Sequence, residues 1–188
     1  NGNPMKEYKI LFTGSVGAGK TTAIGQISDV PPLVTDVRNT DRSVDKPLTT
    51  VGLDYGEFAL DTGDRVRLFG TPGQSRFDFM WQILARNALG LVILVDNSRP
   101  DPLADLHTYL DGFAGVLAGV LAGVPCTIGV GRLDSHPQPD LDHYAEALAG
   151  RDALYPVLDV DVRRREDVLL LIDTLLAQIE ANALGAMQ

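Results

Sequence analysis

The chain has 188 residues and one cysteine, Cys126, and its 25 acidic residues outnumber its 16 Lys and Arg by nine. The length predicts one domain with a sizeable core. The net charge of −9 argues against nucleic-acid and anionic-membrane partners, because both require a basic surface. A lone cysteine forms no intramolecular disulfide, which suits a cytoplasmic protein. Residues 1–4 are interpreted as preceding the natural start at Met5, and residues 5–188 as the domain.

The first predicted elements flank a phosphate-binding loop. An apolar run over 9–13 predicts a buried strand, and 21–28 is compatible with a helix. Between them lies Gly14-Ser15-Val16-Gly17-Ala18-Gly19-Lys20-Thr21, which fits the pattern G-x-x-x-x-G-K-[ST]. Such a loop presents backbone N–H groups to phosphate oxygens at a helix N-terminus. Lys20 is expected to reach the β- and γ-phosphates and Thr21 to bind Mg²⁺, and Thr22 is included in the nucleotide site.

Strand and helix signals alternate through the rest of the chain. The polar segment 31–48 shows no period and is interpreted as a long loop, and 51–60 with 65–69 predicts a hairpin. The later predicted helices cover 75–88, 103–124, 140–148 and 166–183, and the later strands cover 91–95, 126–130 and 154–158. This order predicts an α/β fold, with a mostly parallel six-stranded sheet, one antiparallel edge strand and helices on both faces.

One uncharged stretch, 112–131, is long enough to cross a bilayer. Its six glycines and Pro125 favour a helix end, a turn and a buried strand instead. No stable membrane anchor is therefore expected.

Two further motifs follow the phosphate loop. Thr49-Thr50-Val51-Gly52-Leu53-Asp54-Tyr55 opens the hairpin, and Gly70-Thr71-Pro72-Gly73-Gln74 follows its second strand. From about residue 6 to residue 179 the chain resembles the Ras-like small GTPases, with a Rab-like first switch and a Pro-Gly-Gln second switch. Within that family it is similar to the bacterial group tied to gliding motility and polarity.

The resemblance implies a P-loop NTPase fold and roles for residues in both switches. Thr50 would bind Mg²⁺ and the γ-phosphate, the Gly73 N–H would contact the γ-phosphate, and Gln74 would orient the attacking water. Catalysis would rest on Gln74, Lys20 and Gly73. Both switches would relax once the γ-phosphate is lost. A regulatory or effector protein, such as a small bacterial regulator of the roadblock type, would bind at the switch loops and the strand over 51–60.

The chain departs from this family at several positions. Gly70 stands where the family has the aspartate that is bonded to Mg²⁺ through water, so we expect weaker metal binding or another carboxylate. Asp54 is a candidate for that carboxylate, but Rab-like proteins carry Asp there too, and a structural role is favoured. Val16 replaces a loop glycine and is expected to crowd Gln74 and slow hydrolysis.

The guanine-recognition motif is altered as well. Gly131-Arg132-Leu133-Asp134 stands where the family has Asn-Lys-x-Asp, and Asp161-Val162-Arg163 stands where it has Ser-Ala-Lys. The Asp134 carboxylate would accept two hydrogen bonds from guanine, and adenine lacks that donor pair, so GTP or GDP is favoured. Arg132 is expected to lie over the base, and the Val162 N–H to meet guanine O6 beside Arg163. Gly131 cannot supply the asparagine contacts, so affinity for GTP is expected to be lower than in a Ras protein.

Three interpretations of the function remain open. The favoured one is a small GTP-binding protein that hydrolyses GTP slowly and acts as a molecular switch. The second is a P-loop ATPase or small-molecule kinase, although the chain shows no arginine-rich lid. The third is a nucleotide-binding scaffold without catalysis. Arg38 and Arg42 could act as arginine fingers in cis, but solvated loop charges are the favoured interpretation.

Overall fold

The computed structural model describes residues 4–31, 33–38, 50–71, 78–117 and 123–187. These residues form seven strands and five helices, in the order β1 Glu7–Gly14, α1 Lys20–Ile27, β2 Leu33–Arg38, β3 Thr50–Ala59, β4 Arg65–Gly70, α2 Asp78–Ala85, β5 Gly90–Asp96, α3 Pro102–Leu117, β6 Cys126–Gly131, α4 Leu141–Leu148, β7 Val157–Asp159 and α5 Arg165–Gly185.

The strands form one sheet in the order β2-β3-β4-β1-β5-β6-β7. Strands β4, β1, β5, β6 and β7 pair in parallel, while β3 is antiparallel to both β4 and β2. The predicted α/β class, with helices on both faces of a mostly parallel sheet, is confirmed. The parallel strands point their carboxyl ends to one edge, which is where ligands bind in such sheets.

The sheet has one strand more than expected, because part of the predicted loop 31–48 is β2. The interpretation of that segment as a loop is wrong for Leu33–Arg38, which pairs with β3 from Leu33 opposite Tyr55 to Arg38 opposite Thr50. Strand β2 therefore takes the sheet edge that the hairpin was expected to occupy. Its strand conformation comes from backbone pairing with residues 12 to 22 positions further along the chain, and sequence periodicity does not report such a partner. Residues 39–48 of the predicted loop lie outside the described residues.

The core lies on both faces of the sheet. Alternation along β1 places Ile10 and Phe12 against α1 and α5, whereas Leu11 packs on the face covered by α2, α3 and α4. Every residue of β5 is buried, as predicted for a strand covered on both faces.

Three predicted boundaries need correction. Helix α3 ends at Leu117 within the described residues, and Gly123 has a φ of +81°, so the helix does not reach residue 124. Helix α2 ends at Ala85, and Asn87 has a φ of +62°, which stops the helix predicted to reach residue 88. The last strand is Val157–Asp159, not 154–158, because Leu154 is exposed and only the residues after Pro156 pair with β6.

Within the described residues, α5 is long and apolar enough to cross a membrane by length and composition. Its Val168, Leu171, Ile172 and Leu175 are buried in the core cluster on the α1 face of the sheet. The helix thus completes the core. The described part of the uncharged stretch 112–131 divides into the end of α3, a turn and β6.

Candidate functional site

The loop between β1 and α1 follows a path that only glycine permits at its key positions. Gly14, Gly17 and Gly19 have φ values of +144°, +81° and +99°. A Cβ atom at Gly14 would also lie 2.2 Å from the Leu94 carbonyl oxygen of the neighbouring strand. Helix α1 begins with Gly19 as its N-cap, without a side-chain cap and without an acidic residue in its first turn. Its N-terminus is therefore open to an anion.

The Lys20 ammonium is held inside this loop. Its Nζ donates hydrogen bonds to the carbonyl oxygens of Gly14, at 2.7 Å, and Ser15, at 2.9 Å. The residue is buried, and burial lowers the pKa of Lys20 to about 8, although the Asp54 charge acts in the opposite direction. A cation held by neutral carbonyls stays available to a phosphate.

The Thr21 hydroxyl contacts a carboxylate from the hairpin. Thr21 Oγ1 donates a hydrogen bond to Asp54 Oδ2 at 2.6 Å. Asp54 lies on β3 directly opposite Gly70 of β4. The sequence favoured a structural role for Asp54. In the structure, its carboxylate is hydrogen-bonded to Thr21, the residue predicted to bind Mg²⁺.

The residues predicted to sense the γ-phosphate are only partly covered by the structure. Thr50 begins β3, where its backbone pairs with Arg38 of β2. The side chains of Thr50 and Arg38 lie outside what the structure describes. Gly73, Gln74 and Arg42 also lie outside the described residues, so their assigned roles stay predictions.

A cavity of about 640 Å³ joins the phosphate loop to the predicted base motif. It is formed where β1, β5, β6 and β7 end, which is the expected place for a ligand of this sheet. The predicted site residues in its lining are Gly17, Ala18, Gly19, Thr22, Arg132, Asp134, Val162 and Arg163. Val16 lies outside this lining, with 61% of its surface exposed.

Arg132 sits at the carboxyl end of β6 in a left-handed conformation, with a φ of +66°. Its guanidinium contacts Asp96 Oδ2 at 3.0 Å and donates to Ser98 Oγ at 3.0 Å. Asp96 is buried and also accepts a hydrogen bond from the Ser98 backbone N–H. The charge of Arg132, expected to serve the base, is thus directed to the end of β5. Sequence reasoning missed Asp96, although a carboxylate ending a fully apolar strand was an available signal.

The loop from β7 to α5 forms the opposite wall of the cavity. Arg163 binds the Asp161 carboxylate through two hydrogen bonds, of 2.9 and 2.8 Å, and this pair lowers the pKa of Asp161 to about 2. The Val162 side chain packs on the phosphate loop, since a Cβ atom at Gly19 would lie 2.7 Å from Val162 Cγ2. This loop and its contact with the phosphate loop therefore fix the positions of Val162 and Arg163, which are two of the predicted site residues.

Carboxylates dominate the base end of the cavity. Asp134 lines it and accepts a hydrogen bond from the Ser135 backbone N–H at 2.8 Å. Asp159 and Asp167, which sequence reasoning missed, also line it, and the pKa of Asp159 is raised by burial and by the nearby charges of Asp167, Asp134 and Asp161. This end offers hydrogen-bond acceptors to a base, whereas the loop end offers donors to phosphates.

The residues fit a magnesium–nucleotide better than a metal held by protein groups alone. Among the described residues, no group of three or more His, Cys, Asp or Glu side chains could hold a metal ion. The Thr21 hydroxyl and the Asp54 carboxylate are nevertheless oxygen donors beside the phosphate loop, and oxygen is the ligand that Mg²⁺ prefers. Most of the other ligands would come from phosphates and water.

Comparison with known proteins agrees with this arrangement. Residues 34–175 match the family described as conserved hypothetical ATP binding protein, and this match begins after the phosphate loop. ADP-ribosylation factor-like protein 3 of Saccharomyces cerevisiae is 23% identical over 189 residues, which cover 97% of this chain and 90% of that protein. The uncharacterized protein MJ1339 of Methanocaldococcus jannaschii is 29% identical over 93 residues, which cover 50% of this chain and 53% of that protein.

These similarities and the geometry of the site together identify the family to which the chain belongs. The similarity along nearly the whole chain to an ADP-ribosylation factor-like protein supports the predicted Ras-like GTPase family. The family match covers well over half of the chain. The chain is a nucleotide-binding P-loop protein, and it belongs to the family of conserved hypothetical ATP-binding proteins.

Proposed function

We propose that this chain binds GTP and GDP with Mg²⁺, hydrolyses GTP slowly and acts as a nucleotide-dependent switch. The observation that carries this proposal is the single cavity that joins the phosphate loop to Asp134. Its two ends have opposite chemistry, with donors at one end and carboxylates at the other. A guanine nucleotide matches both, because its phosphates are acceptors and its base edge carries two N–H donor groups.

The phosphate end supports binding of a triphosphate. The open N-terminus of α1, the three glycines at positive φ and the buried Lys20 ammonium together form an anion site. Bound Mg²⁺ would neutralise charge on the β- and γ-phosphates during phosphoryl transfer. In this proposal Thr21 and Thr50 hold it.

The base end supports guanine through Asp134. Guanine would offer the Asp134 carboxylate two N–H donor groups, and adenine lacks that donor pair, so guanine would be favoured over adenine. A second candidate, ATP binding, is favoured by the description of the matched family and by Gly131, which lacks the asparagine contacts. An ATPase or small-molecule kinase would follow from that candidate.

Hydrolysis in this proposal depends on the second switch. Gln74 orients the attacking water and the Gly73 N–H contacts the γ-phosphate, while Lys20 stabilises charge on the transferred group. Val16 is largely exposed, and in this proposal it crowds Gln74 and keeps the intrinsic rate low. Unassisted Ras-type enzymes work near 10⁻⁴ s⁻¹, and we expect a rate of about that order.

The switch would act on a protein partner in the cytoplasm. Thr50 and Gly73 would lose their γ-phosphate contacts on hydrolysis, so both switch loops would relax. A regulatory or effector protein would sense this change at the loops and β3, and a bacterial regulator of the roadblock type fits the sequence resemblance to motility and polarity GTPases. The net charge of −9 makes nucleic acid an unsuitable partner.

Two measurements test this function. The nucleotide released from denatured purified protein should be guanine nucleotide, and excess GTP, but not excess ATP, should displace a labelled guanine nucleotide. In single turnover, wild-type protein should release phosphate slowly and Gln74→Ala more slowly still. Preferential ATP binding would favour the ATPase or kinase, and nucleotide binding without any phosphate release would favour the scaffold.

A further inference from the structure

We propose that Asp54 on β3 supplies the carboxylate that orients the Mg²⁺ ligands in this chain, in place of an aspartate at Gly70 on β4. The inference rests on the proposed function, because it requires a magnesium–nucleotide in the phosphate loop. It assigns a positioning role to Asp54: the residue acts through Thr21.

The first support is the contact between Asp54 and the predicted metal ligand. Thr21 Oγ1 donates its proton to Asp54 Oδ2 at 2.6 Å. A hydroxyl has one proton and two lone pairs, so donation to a carboxylate leaves the lone pairs free for a metal. A carboxylate that accepts from a ligating group fixes the orientation of that group and raises its basicity. Asp54 already holds Thr21 in this way.

The second support is the space beside Gly70. Asp54 and Gly70 are direct neighbours across the β3–β4 pair. A Cβ atom at Gly70 would lie 3.0 Å from Asp54 Cβ and 3.2 Å from Asp54 Oδ2. A side chain at either position thus enters the same volume next to Thr21. The Asp54 carboxylate occupies the space into which an aspartate at position 70 would project.

The third support is that the backbone gives no other reason for glycine at position 70. Gly70 is the last residue of a regular strand and is absent from the glycines with positive φ, so its conformation is open to any residue. A Cβ atom at Gly70 would instead be crowded by two neighbours, the Asp54 side chain and Ile24 Cδ1 at 3.3 Å. We therefore infer that the carboxylate expected at position 70 of β4 is supplied in this chain by position 54 of the adjacent strand β3.

The test exchanges the two positions. Asp54→Asn keeps the shape of the side chain and removes its charge, and the double variant Asp54→Gly/Gly70→Asp moves the carboxylate to β4. Asp61→Asn, in the exposed hairpin turn, is the matched control for the loss of one negative charge. Protein loaded with a fluorescent GDP analogue is titrated with Mg²⁺, and the rate of nucleotide release gives the Mg²⁺ affinity. Release in excess EDTA measures nucleotide binding without the metal.

We expect Asp54→Asn to weaken Mg²⁺ binding 10- to 100-fold, as for other residues that orient metal ligands. Release in EDTA should stay within about twofold of wild type, as should both measurements for Asp61→Asn. The exchanged double variant should recover most of the Mg²⁺ affinity that Asp54→Asn loses. Gly70→Asp alone should not bind Mg²⁺ more tightly than wild type, because its side chain meets Asp54.

Two results would overturn the inference. Mg²⁺ affinity of Asp54→Asn within twofold of wild type would show that Asp54 is only structural, while leaving nucleotide binding intact. Failure of wild-type protein to bind any nucleotide, with or without Mg²⁺, would remove the proposed function together with this inference. If the double variant does not fold in thermal melting, the isosteric Asp54→Asn variant decides the question alone.

Discussion

The charged groups of the phosphate loop and those of the base end of the cavity have different kinds of partner. At the phosphate end, the Lys20 ammonium is bonded to the neutral carbonyls of Gly14 and Ser15. At the base end, the guanidinium of Arg132 is paired with Asp96, and that of Arg163 with Asp161. The Lys20 charge is therefore available to an anion, whereas the charges of Arg132 and Arg163 are each paired with an aspartate.

Because of this contrast, we expect one end to determine mainly the affinity for nucleotide and the other mainly the selectivity between bases. An ammonium that exchanges neutral carbonyl partners for phosphate oxygens gains an ion pair, so we expect the phosphate end to supply most of the affinity. The base end offers mainly carboxylates such as Asp134 and Asp159, which discriminate between bases by the donors they find. Substitutions at the phosphate end should therefore lower the affinity for all nucleotides, whereas substitutions at the base end should change the preference for GTP over ATP.

The largest effect is expected at Lys20. Replacing Lys20 with Ala removes the buried cation, and losing one partner of a buried charged contact costs about 2–5 kcal/mol. Nucleotide affinity should fall about 30- to 5,000-fold, equally for GTP and ATP, as followed by titration with fluorescent analogues. Lys6→Ala removes the same charge from an exposed position and should bind normally. Equal binding by both variants would contradict the division between the two ends.

A smaller and selective effect is expected at Asp134. Asp134→Asn removes the negative charge and replaces one of the two acceptor oxygens with an NH2 donor. A hydrogen bond to a charged group contributes about 1.5–3 kcal/mol. GTP affinity should fall about 10- to 150-fold, while ATP affinity should change less than twofold. Asp152→Asn, at an exposed position outside the cavity, is the charge control. A parallel loss of GTP and ATP affinity would mean that Asp134 supports the loop and does not read the base.

The same contrast explains what the sequence could predict. The phosphate end depends on local geometry: glycines at fixed spacing, a lysine and the helix that follows are contiguous, so residues 14–21 predicted the loop. The alternation of strands and helices is also a local signal, and it predicted the α/β fold. Strand β2 was missed because its partner β3 is distant in the chain.

The base end and the metal environment depend on contacts between distant segments. The Arg132–Asp96 pair joins the ends of β6 and β5, and the Thr21–Asp54 bond spans 33 positions. A sequence shows that these residues are present, but not which of several carboxylates each cation or hydroxyl will meet. For that reason the sequence predicted neither the pairing of Arg132 with Asp96 nor the hydrogen bond from Thr21 to Asp54.

A pH titration sharpens the comparison, because the pKa of Lys20 is lowered to about 8 in the nucleotide-free protein. Phosphates bind the protonated form, so affinity should be flat below pH 8 and fall by up to tenfold per pH unit above it. Stability of the nucleotide-free protein should change in the opposite direction. The unfolded chain keeps this proton up to the ordinary value of 10.5, so the free energy of unfolding should rise between pH 8 and 10.5.

Lys20→Ala is the control for this titration. It lacks the titrating group, so its thermal stability should lose the rise above pH 8 that wild type shows. A wild-type affinity that stays constant from pH 7 to 9 would mean that the ammonium is not deprotonated in that range, and the phosphate end would then hold its charge more firmly than the burial of Lys20 indicates.

The smallest effect is expected at Tyr144, which supports the base end of the cavity through hydrogen bonds. Tyr144 on α4 is fully buried, and its hydroxyl donates to Asn97 Oδ1 at 2.6 Å. The Asn97 amide in turn donates to the carbonyl oxygens of His136 and Pro139, and its backbone N–H donates to that of Gly131. This chain of bonds holds the loop that carries Asp134. At the phosphate end, the glycines set the path of the loop, and the Lys20 side chain bonds directly to its carbonyl oxygens.

Tyr144→Phe should therefore reduce the free energy of unfolding by about 1 kcal/mol, the usual contribution of one neutral hydrogen bond. Because the loss is confined to the base loop, GTP affinity should fall modestly and pyrophosphate affinity should stay constant. Tyr8→Phe, on the partly exposed β1 residue, controls for removal of a phenol. A loss of pyrophosphate affinity equal to the loss of GTP affinity would show that the two ends are mechanically coupled, through a contact such as that of Val162 with Gly19.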